Sequence, residues 1–177
     1  NVLEAMKEFN VDNIIFSSSC TVYGQADEMP IDEQTPLKKA ESPYGKTKQM
    51  GEEILEDFST AFNKNVICLR YFNPVGAHSS AKIGELPKGI PNNLIPYVTQ
   101  TAAGIREMLS VWGDDYPTRD GTAIRDYIDV NDLADAHVKA ITRLIDKKNK
   151  TELEFFNLGT GIGSTVLEVV QAFEQAN

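Results

Sequence analysis

Cysteine and histidine are scarce in this sequence, which holds two of each among its 177 residues. Two thiols, Cys20 and Cys68, cannot build a disulfide framework, and they are typical of a reducing, cytoplasmic setting. No cluster of histidine and cysteine suggests a metal site. No apolar run approaches the roughly 20 residues that a membrane helix needs, and the charged N-terminus is no signal peptide. We therefore expect no metal and no membrane partner.

Positive charge is also in short supply. The chain has 17 lysine and arginine residues against 26 aspartate and glutamate residues, a formal net charge of -9. An acidic protein is a poor match for nucleic acid as its main partner. A few local cations can still hold an anionic ligand such as a phosphate group. The remaining composition, 41% hydrophobic and 24% charged, is typical of a globular domain with its own core.

Apolar runs alternate with helical patterns along the chain. Residues 14–16 and 66–72 have the continuous hydrophobicity of buried parallel strands. A helix from Pro43 to about Phe62 lies between them, and its apolar i+4 stripe consists of Met50, Ile54, Phe58 and Phe62. This alternation predicts an α/β fold with a parallel sheet.

The later elements follow from the same periodicities. We predict helices over residues 93–103 and 131–145, and short strands over 109–112, 127–130 and 154–158. A capping box formed by Thr165 and Glu168 predicts the start of a last helix. Its expected inner face consists of Val166, Val169, Val170 and Phe173.

The helix that begins at Pro43 carries a tyrosine and a lysine four residues apart. Ser42 is a good N-cap, and proline suits the first helical position. Tyr44 and Lys48 then share one face of the first turns. An ammonium beside a phenol favours the phenolate, so the pair is a plausible proton-transfer device. The spacing alone is weak evidence, because most such pairs are a phenol and a solvated lysine on a helix surface.

Polar residues follow both predicted central strands, at positions 17–21 and 71–73. In open α/β sheets, ligands bind outside the carboxyl ends of the strands. The start of the helix with Tyr44 and Lys48 lies on the same rim. A serine hydroxyl, a phenol and an ammonium there form a proton-relay set. The simpler interpretation of Ser17-Ser18-Ser19 is a group of hydrogen-bonded hydroxyls at a strand end.

Three motifs in order resemble the extended short-chain dehydrogenase/reductase family: SSSCTVYG at 17–24, SPYGKTK at 42–48 and RYFNPVGAH at 70–78. PNNLIP at 91–96, VWG at 111–113 and GTAIRDYI at 121–128 agree, so the resemblance runs through the whole chain. It implies part of a Rossmann-type parallel sheet with helices, over residues 1–76. It also implies part of a smaller α/β substrate domain over 77–177, with segments around 115–145 returning to the Rossmann domain.

The resemblance also implies an activity, that of an NAD-dependent isomerase interconverting UDP-glucose and UDP-galactose in galactose metabolism. Tyr44 is expected to accept the proton of the sugar 4-OH, directly or through Ser19, with Lys48 as its partner. The C4 hydride goes to NAD, the 4-keto sugar turns over, and the hydride returns to the opposite face. A homodimer is the expected assembly of the intact protein.

The family's binding residues can be carried over position by position. The expected NAD contacts are Ser17, Ser19, Tyr44, Lys48, Tyr71 and Phe72. The expected UDP-sugar contacts are Ser19, Cys20, Thr21, Tyr44, Tyr71, Phe72, Asn73, Asn92, Asn93, Leu94, Ser110, Val111, Trp112 and Arg125. A permanently charged, bidentate guanidinium suits a diphosphate. The alternative for Arg125 is a surface ion pair with Asp126 or Asp129.

The chief departure from the family is a missing glycine-rich turn before Ser19, since the first glycine is Gly24. That turn seats the NAD pyrophosphate on a helix N-terminus. GTGIGS at 159–164 lacks the third fingerprint glycine, and we interpret it as structural. The chain also starts and stops within helical patterns, so we expect a fragment that is inactive alone.

Two alternatives stay open. One is another sugar-nucleotide enzyme of the same family, an epimerase, dehydratase or decarboxylase. Dehydratases place an acid pair beside the active threonine, whereas Ser19-Cys20-Thr21 offers no carboxylate. The other is a non-catalytic fragment that contributes only a UDP-sugar-binding half or an assembly surface.

Overall fold

The structure, a computed structural model, describes residues 1–176. These residues form two compact units. Unit 1 comprises residues 1–72 and 132–158, and unit 2 comprises residues 73–131 and those from Gly159 onward. The domain division expected from the sequence, residues 1–76 and 77–177, stays a prediction. Within residues 1–176, no helix has the length and apolarity that crossing a membrane requires.

The elements occur in the following order along the chain. They are α1 (Val2–Glu8), β1 (Asn13–Ser17), a 3₁₀ turn (Cys20–Tyr23), α2 (Pro43–Phe62), β2 (Asn65–Tyr71), β3 (Asn73–Val75), α3 (Leu94–Ala102), β4 (Ile124–Asp129), α4 (Val130–Ile145), β5 (Leu153–Leu158), β6 (Gly163–Thr165) and α5 (Val166–Ala176).

Unit 1 is built on a parallel sheet with strand order β1-β2-β5, which confirms the predicted α/β fold class. The central strand β2 is buried on both faces because successive side chains point to opposite sides. Ile67 and Leu69 pack with Ala140 and Leu144 of α4. Val66 and Cys68 pack with Leu55 of α2 on the other face. The sheet therefore lies between α2 and α4, with the carboxyl ends of its strands on one rim.

Helix α2 begins and ends as the sequence predicts. The Ser42 hydroxyl accepts the Gly45 N–H at 3.0 Å, and Asn63 ends the helix in the left-handed conformation at φ 53°. The expected apolar stripe is wrong as a description of the buried face, because Met50 and Ile54 are exposed. The polar residues Gln49 and Glu52 take buried positions instead, where they hydrogen-bond to the elements beneath the helix.

Unit 2 holds a second small sheet of β3, β4 and β6, in which β3 and β4 are parallel and β4 and β6 antiparallel. The capping box of α5 is confirmed. Thr165 N–H donates to Glu168 Oε2 at 2.9 Å, and Glu168 N–H donates to Thr165 Oγ1 at 3.1 Å. The expected inner face of α5 is only half-buried.

The strand predicted over residues 109–112 does not form. Residues 103–123 contain no helix or strand, and Gly104 and Gly113 adopt φ values of 70° and 84°. Trp112 is 86% exposed. An apolar run becomes a strand only where a neighbouring strand completes its hydrogen bonds, and this run has none.

Candidate active site

The three serines at the end of β1 each have a different partner. Ser17 Oγ lies 2.9 Å from His137 Nε2, and Ser18 Oγ donates to Glu52 Oε1 at 2.5 Å. Ser19 Oγ accepts from the N–H and the hydroxyl of Thr21, at 3.2 and 3.0 Å. Because Ser19 Oγ accepts in both bonds, its own O–H stays available as a donor. Ser19 is 6% exposed.

His137 of α4 is half-buried, and both of its ring nitrogens have hydrogen-bond partners. Its Nδ1 donates to the Leu133 carbonyl at 2.8 Å. In the neutral ring, Nε2 then accepts from the Ser17 hydroxyl. The His137 ring also lies 6.3 Å from the Tyr71 ring. Its contacts thus hold the ends of β1 and β2 against α4.

Lys48 is held in place and is no solvated surface lysine. Its Nζ donates to the Ser17 carbonyl at 2.8 Å. The same Nζ lies 5.2 Å from the Phe16 ring and 5.4 Å from the Tyr44 ring, within cation–π range. The ammonium therefore lies between the strand end and the Tyr44 side chain, which is 51% exposed.

Tyr71, at the end of β2, shares this rim. Burial, and to a smaller degree the charge of nearby Tyr44, raises the pKa of Tyr71. Tyr71 is therefore a neutral phenol near pH 7. Phe72 follows it, half-buried, and its N–H donates to the Leu158 carbonyl at 3.0 Å. Of the predicted unit 1 residues, the structure thus brings Ser17, Tyr44, Lys48 and Tyr71 together.

Gly45 lets the start of α2 approach the turn that carries Ser19. A Cβ built on Gly45 would lie 3.1 Å from the Thr21 carbonyl oxygen and 3.3 Å from Ala40 Cβ. Both distances are tighter than ordinary van der Waals contact. Cys20, half-buried, and Thr21, exposed, lie in this turn. A side chain at Gly45 would require the helix start, the 3₁₀ turn or Ala40 to shift by a few tenths of an ångström.

Unit 2 contains a cavity of about 200 Å³. Five predicted UDP-sugar residues line it, namely Asn73, Asn92, Asn93, Leu94 and Arg125. Three other predicted residues, Ser110, Val111 and Trp112, are exposed and do not line it. The cavity joins polar side chains from the start of β3, the loop before α3 and strand β4.

Arg125 offers a guanidinium to this cavity. Its side chain is exposed and donates to the Ile124 carbonyl at 2.7 Å. In the described part of the chain, Arg125 makes no salt bridge. Asp126 instead accepts from the 160–161 backbone, and Asp129 accepts from Asn131. The role of Arg125 in binding a diphosphate stays a prediction.

Sequence reasoning missed several lining residues of the cavity. Tyr127 lies two residues after Arg125 in β4, and the strand period of two puts both on one face. This spacing is visible in the sequence and could have identified Tyr127 as a lining residue. Burial raises the pKa of Tyr127, which keeps its phenol neutral. Glu85 and Val166 also line the cavity. They come from a distant loop and from α5, and no local pattern marks them.

Three donors of the glycine-rich loop at 159–164 are already occupied by a carboxylate of the same chain. The N–H groups of Thr160 and Gly161 donate to the Asp126 carboxylate at 2.9 and 2.8 Å. The Thr160 hydroxyl donates to the same carboxylate at 2.7 Å. The loop thus binds an anion of its own chain, in agreement with a structural role.

Comparisons with known proteins place this geometry in a family. The NAD dependent epimerase/dehydratase family matches residues 1–159. The chain is 56% identical over 175 residues to the UDP-glucose 4-epimerase of Bacillus subtilis (strain 168), covering 98% of this chain and 50% of that protein. It is 52% identical over 179 residues to the UDP-glucose 4-epimerase of Drosophila melanogaster, covering 99% and 50%.

Solved structures agree. The UDP-glucose-4-epimerase from Stenotrophomonas maltophila with bound NAD and formylated UDP-arabinopyranose matches with a TM-score of 0.93 at 50% identity, covering 99% of this chain and 52% of that chain. The UDP-glucose 4-epimerase from Bifidobacterium longum in complex with NAD+ and UDP matches with a TM-score of 0.90 at 51% identity, covering 99% and 51%. The chain spans about half the length of the curated relatives it matches. It belongs to the NAD dependent epimerase/dehydratase family.

Proposed function

We propose that this chain supplies the proton-transfer site and a UDP-binding pocket for the NAD-dependent interconversion of UDP-glucose and UDP-galactose. The observation that carries the proposal is the position of Lys48, held by the Ser17 carbonyl beside the Tyr44 ring. The relatives at 50–56% identity, which are named UDP-glucose 4-epimerases, support it.

Tyr44 acts as the base in this proposal. Its phenolate removes the proton from the sugar 4-OH, and the Lys48 ammonium favours that phenolate by charge. Ser19 orients the sugar hydroxyl through its free O–H. Tyr71, a neutral phenol, contributes surface and not acid–base chemistry. Tyr44 returns the proton to the C4 oxygen of the sugar at the end of the cycle.

The residues of unit 1 fit the nicotinamide end of NAD. An ammonium has three donors, and the Ser17 carbonyl uses one of them, so Lys48 can also donate to ribose hydroxyls. Tyr71 and Phe72 add half-buried aromatic surface at the same rim. NAD, when bound, accepts the hydride from C4 of the sugar and returns it.

Unit 2 would bind the UDP portion of the substrate. Arg125 pairs with the diphosphate, and Asn73, Asn92 and Asn93 donate to its polar atoms. A cavity of about 200 Å³ is smaller than the roughly 300–1,000 Å³ of a typical ligand pocket, so it holds part of a UDP-sugar. Homodimer formation and a cytoplasmic setting stay predictions.

A dehydratase is the second candidate on the same scaffold. Loss of water from the sugar needs an acid beside the base, and residues 19–23 contain no carboxylate. This favours the epimerase. The other alternative is a half that binds UDP-sugar without chemistry, and the glycine-rich loop occupied by Asp126 is the observation that favours it.

The test uses a chimera in which this chain replaces the matched half of the Bacillus subtilis enzyme. We expect the chimera to convert UDP-galactose to UDP-glucose, and Tyr44→Phe to lower kcat by at least about 100-fold while UDP still binds. The chain alone should bind UDP without turnover. Retention of most of the rate by Tyr44→Phe would contradict the role of Tyr44. Turnover by the chain alone would contradict the expectation that it is inactive.

A further inference from the structure

A buried ion pair lies directly behind the proton-transfer residues. Glu52 follows Lys48 by four residues in α2, so it lies on the same side of the helix one turn further on. Arg70 donates to it through two nitrogens, Nε to Oε1 at 2.9 Å and a terminal nitrogen to Oε2 at 2.7 Å. The two side chains are 4% and 5% exposed. The Ser18 hydroxyl completes the shell of Oε1 at 2.5 Å.

The pair extends into a network that crosses unit 1. The other terminal nitrogen of Arg70 donates to the Tyr23 hydroxyl at 3.0 Å, and this hydroxyl donates to Asn157 Oδ1 at 2.7 Å. The Arg70 guanidinium also lies within cation–π range of the rings of Tyr23 and Phe155, 4.9 and 4.2 Å from their centres. One carboxylate and one guanidinium therefore join α2, β1, β2, the 3₁₀ turn and β5.

The elements that the network joins are those that carry the candidate site. Ser18 lies between Ser17, whose carbonyl holds Lys48, and Ser19. Arg70 immediately precedes Tyr71. Each site residue is thus one residue along a strand, or one or two helical turns, from a group whose position the ion pair fixes.

Stability is a weak reason for such a pair. Removing two charges from water costs about as much as their attraction returns, and apolar replacements are often neutral or stabilising. The pair does, however, define distances and angles, because a bidentate guanidinium–carboxylate contact has one planar geometry. Acid–base chemistry depends on such geometry, since a 1 Å misplacement can cost about 100-fold in rate.

We propose that Glu52 and Arg70 are the positioning residues of the proton-transfer site. Glu52 fixes the end of β1 through Ser18, so that the Ser17 carbonyl meets Lys48 and Ser19 keeps its orientation. Arg70 fixes the end of β2 and with it Tyr71. This inference rests on the proposed function.

Unit 1 offers a matched control. Arg143 of α4 and Glu154 of β5 form a second bidentate pair, with N–O distances of 2.7 and 2.8 Å. Glu154 also accepts the Lys150 N–H at 2.9 Å. This pair joins α4 to β5 and does not touch the ends of β1 or β2. A change from glutamate to glutamine alters both pairs in the same way, since an N–H₂ then faces a guanidinium donor.

The first experiment measures steady-state kinetics of the chimera with UDP-galactose. We expect Glu52→Gln to lower kcat by about 10- to 100-fold and to leave KM within about twofold. Glu154→Gln should leave both within about twofold. Ser18→Ala, which removes only the link to β1, should give a smaller kcat loss of the same kind, and it serves if Glu52→Gln does not fold. Equal kcat for Glu52→Gln and Glu154→Gln would overturn the proposal.

The second experiment does not depend on turnover. NMR spectra of the 177-residue chain with labelled tyrosine and lysine report the surroundings of Tyr44 and Lys48. Glu52→Gln and Ser18→Ala should displace their resonances, and Glu154→Gln should not. Displacement together with an inactive chimera would contradict the proposed function and support the positioning role. An active chimera with equal spectra and equal kcat for the two glutamine variants would overturn the positioning role alone.

Discussion

The proton-transfer rim of unit 1 and the cavity of unit 2 are built differently. On the rim, each candidate side chain lies at the end of a regular element, and buried hydrogen bonds fix the backbone behind it. Around the cavity, Asn92, Asn93 and Arg125 are exposed and lie on a loop or a strand face. Proton transfer needs groups placed before the substrate arrives, whereas recognition of a nucleotide tolerates side chains that settle on binding.

Changing Lys48 should give the largest effect if the rim is the preorganised part. Lys48→Met removes the ammonium that faces Tyr44 and the bond to the Ser17 carbonyl. We expect kcat of the chimera to fall by at least about 100-fold, the usual scale of acid–base assistance. Lys46→Met is the control, because Lys46 is exposed and its Nζ lies 3.7 Å from the exposed Glu53 carboxylate. Similar rates for the two variants would show that Lys48 has no special role.

Arg125 tests the other half of the comparison. Arg125→Ala removes a charged, bidentate donor from the cavity, a contact worth roughly 1.5–3 kcal/mol. We expect UDP to bind about 10- to 100-fold more weakly to the chain, as measured by calorimetric titration. Kinetics of the chimera should show a higher KM and a much smaller change in kcat.

The control for Arg125 is Arg106→Ala. Arg106 also belongs to unit 2, but it stacks on Tyr97 and donates to Gln100 outside the cavity. Arg106→Ala removes the same charge from the chain as Arg125→Ala. Unchanged UDP affinity of Arg106→Ala would therefore show that the loss of affinity in Arg125→Ala arises at the cavity. A kcat loss for Arg125→Ala as large as that for Lys48→Met would contradict the division of roles.

The sequence was most informative where local chemistry decides the structure. Ser42 and Pro43 set the start of α2, and the continuous apolar run of β2 predicted a strand buried on both faces. The buried face of α2 could not be derived in this way. Gln49 and Glu52 look like solvent-facing residues until the carbonyl of Val22 and the guanidinium of Arg70 are known to lie beneath them.

Unit 2 was harder to predict from the sequence, because its contacts also depend on segments that are distant along the chain. The apolar run at 109–112 has a strand pattern, but pairing is a tertiary event and no partner strand is present. Tyr127 could have been assigned from its spacing to Arg125, whereas Val166 enters the cavity only because β6 leads α5 back to it. Propensity acts within a few residues, and cavities are formed by segments far apart in sequence.

Packing at Gly51 should give a moderate loss of stability in unit 1. Alanine in an ordinary helix is about 1 kcal/mol better than glycine. A Cβ at Gly51, however, would lie 2.6 Å from the Phe16 ring, which also lies near Lys48. Overpacking typically costs about 1–3 kcal/mol, so we expect Gly51→Ala to lower the free energy of unfolding in urea.

Gly104→Ala in unit 2 separates two causes of lost stability, a close contact of the new methyl group and strain of the backbone. Nothing lies within 4 Å of the Cβ position there, but φ is 70°, so alanine is strained by the backbone alone. Both variants should lose stability, and only Gly51→Ala should disturb the Tyr44 and Lys48 resonances. A stabilised Gly51→Ala chain would contradict the close contact with Phe16.

The smallest effect is expected from the surface ion pair of unit 2, Arg119 with Glu168, in contrast to the buried pair of unit 1, Arg70 with Glu52. Hydrogen bonds from Arg119, and then the Thr165 N–H, lower the pKa of Glu168 from 4.5 to about 2. The folded pKa lies below the unfolded value, so the stabilisation is present above about pH 4.5 and is lost as the pH falls toward about 2. Glu168→Gln keeps the cap on Thr165 and removes the charge. Urea unfolding of both proteins should show a difference that is small at pH 7, shrinks with added salt and vanishes near pH 2. A difference that is unchanged at pH 2 would mean that Glu168 acts through the cap and not through its charge.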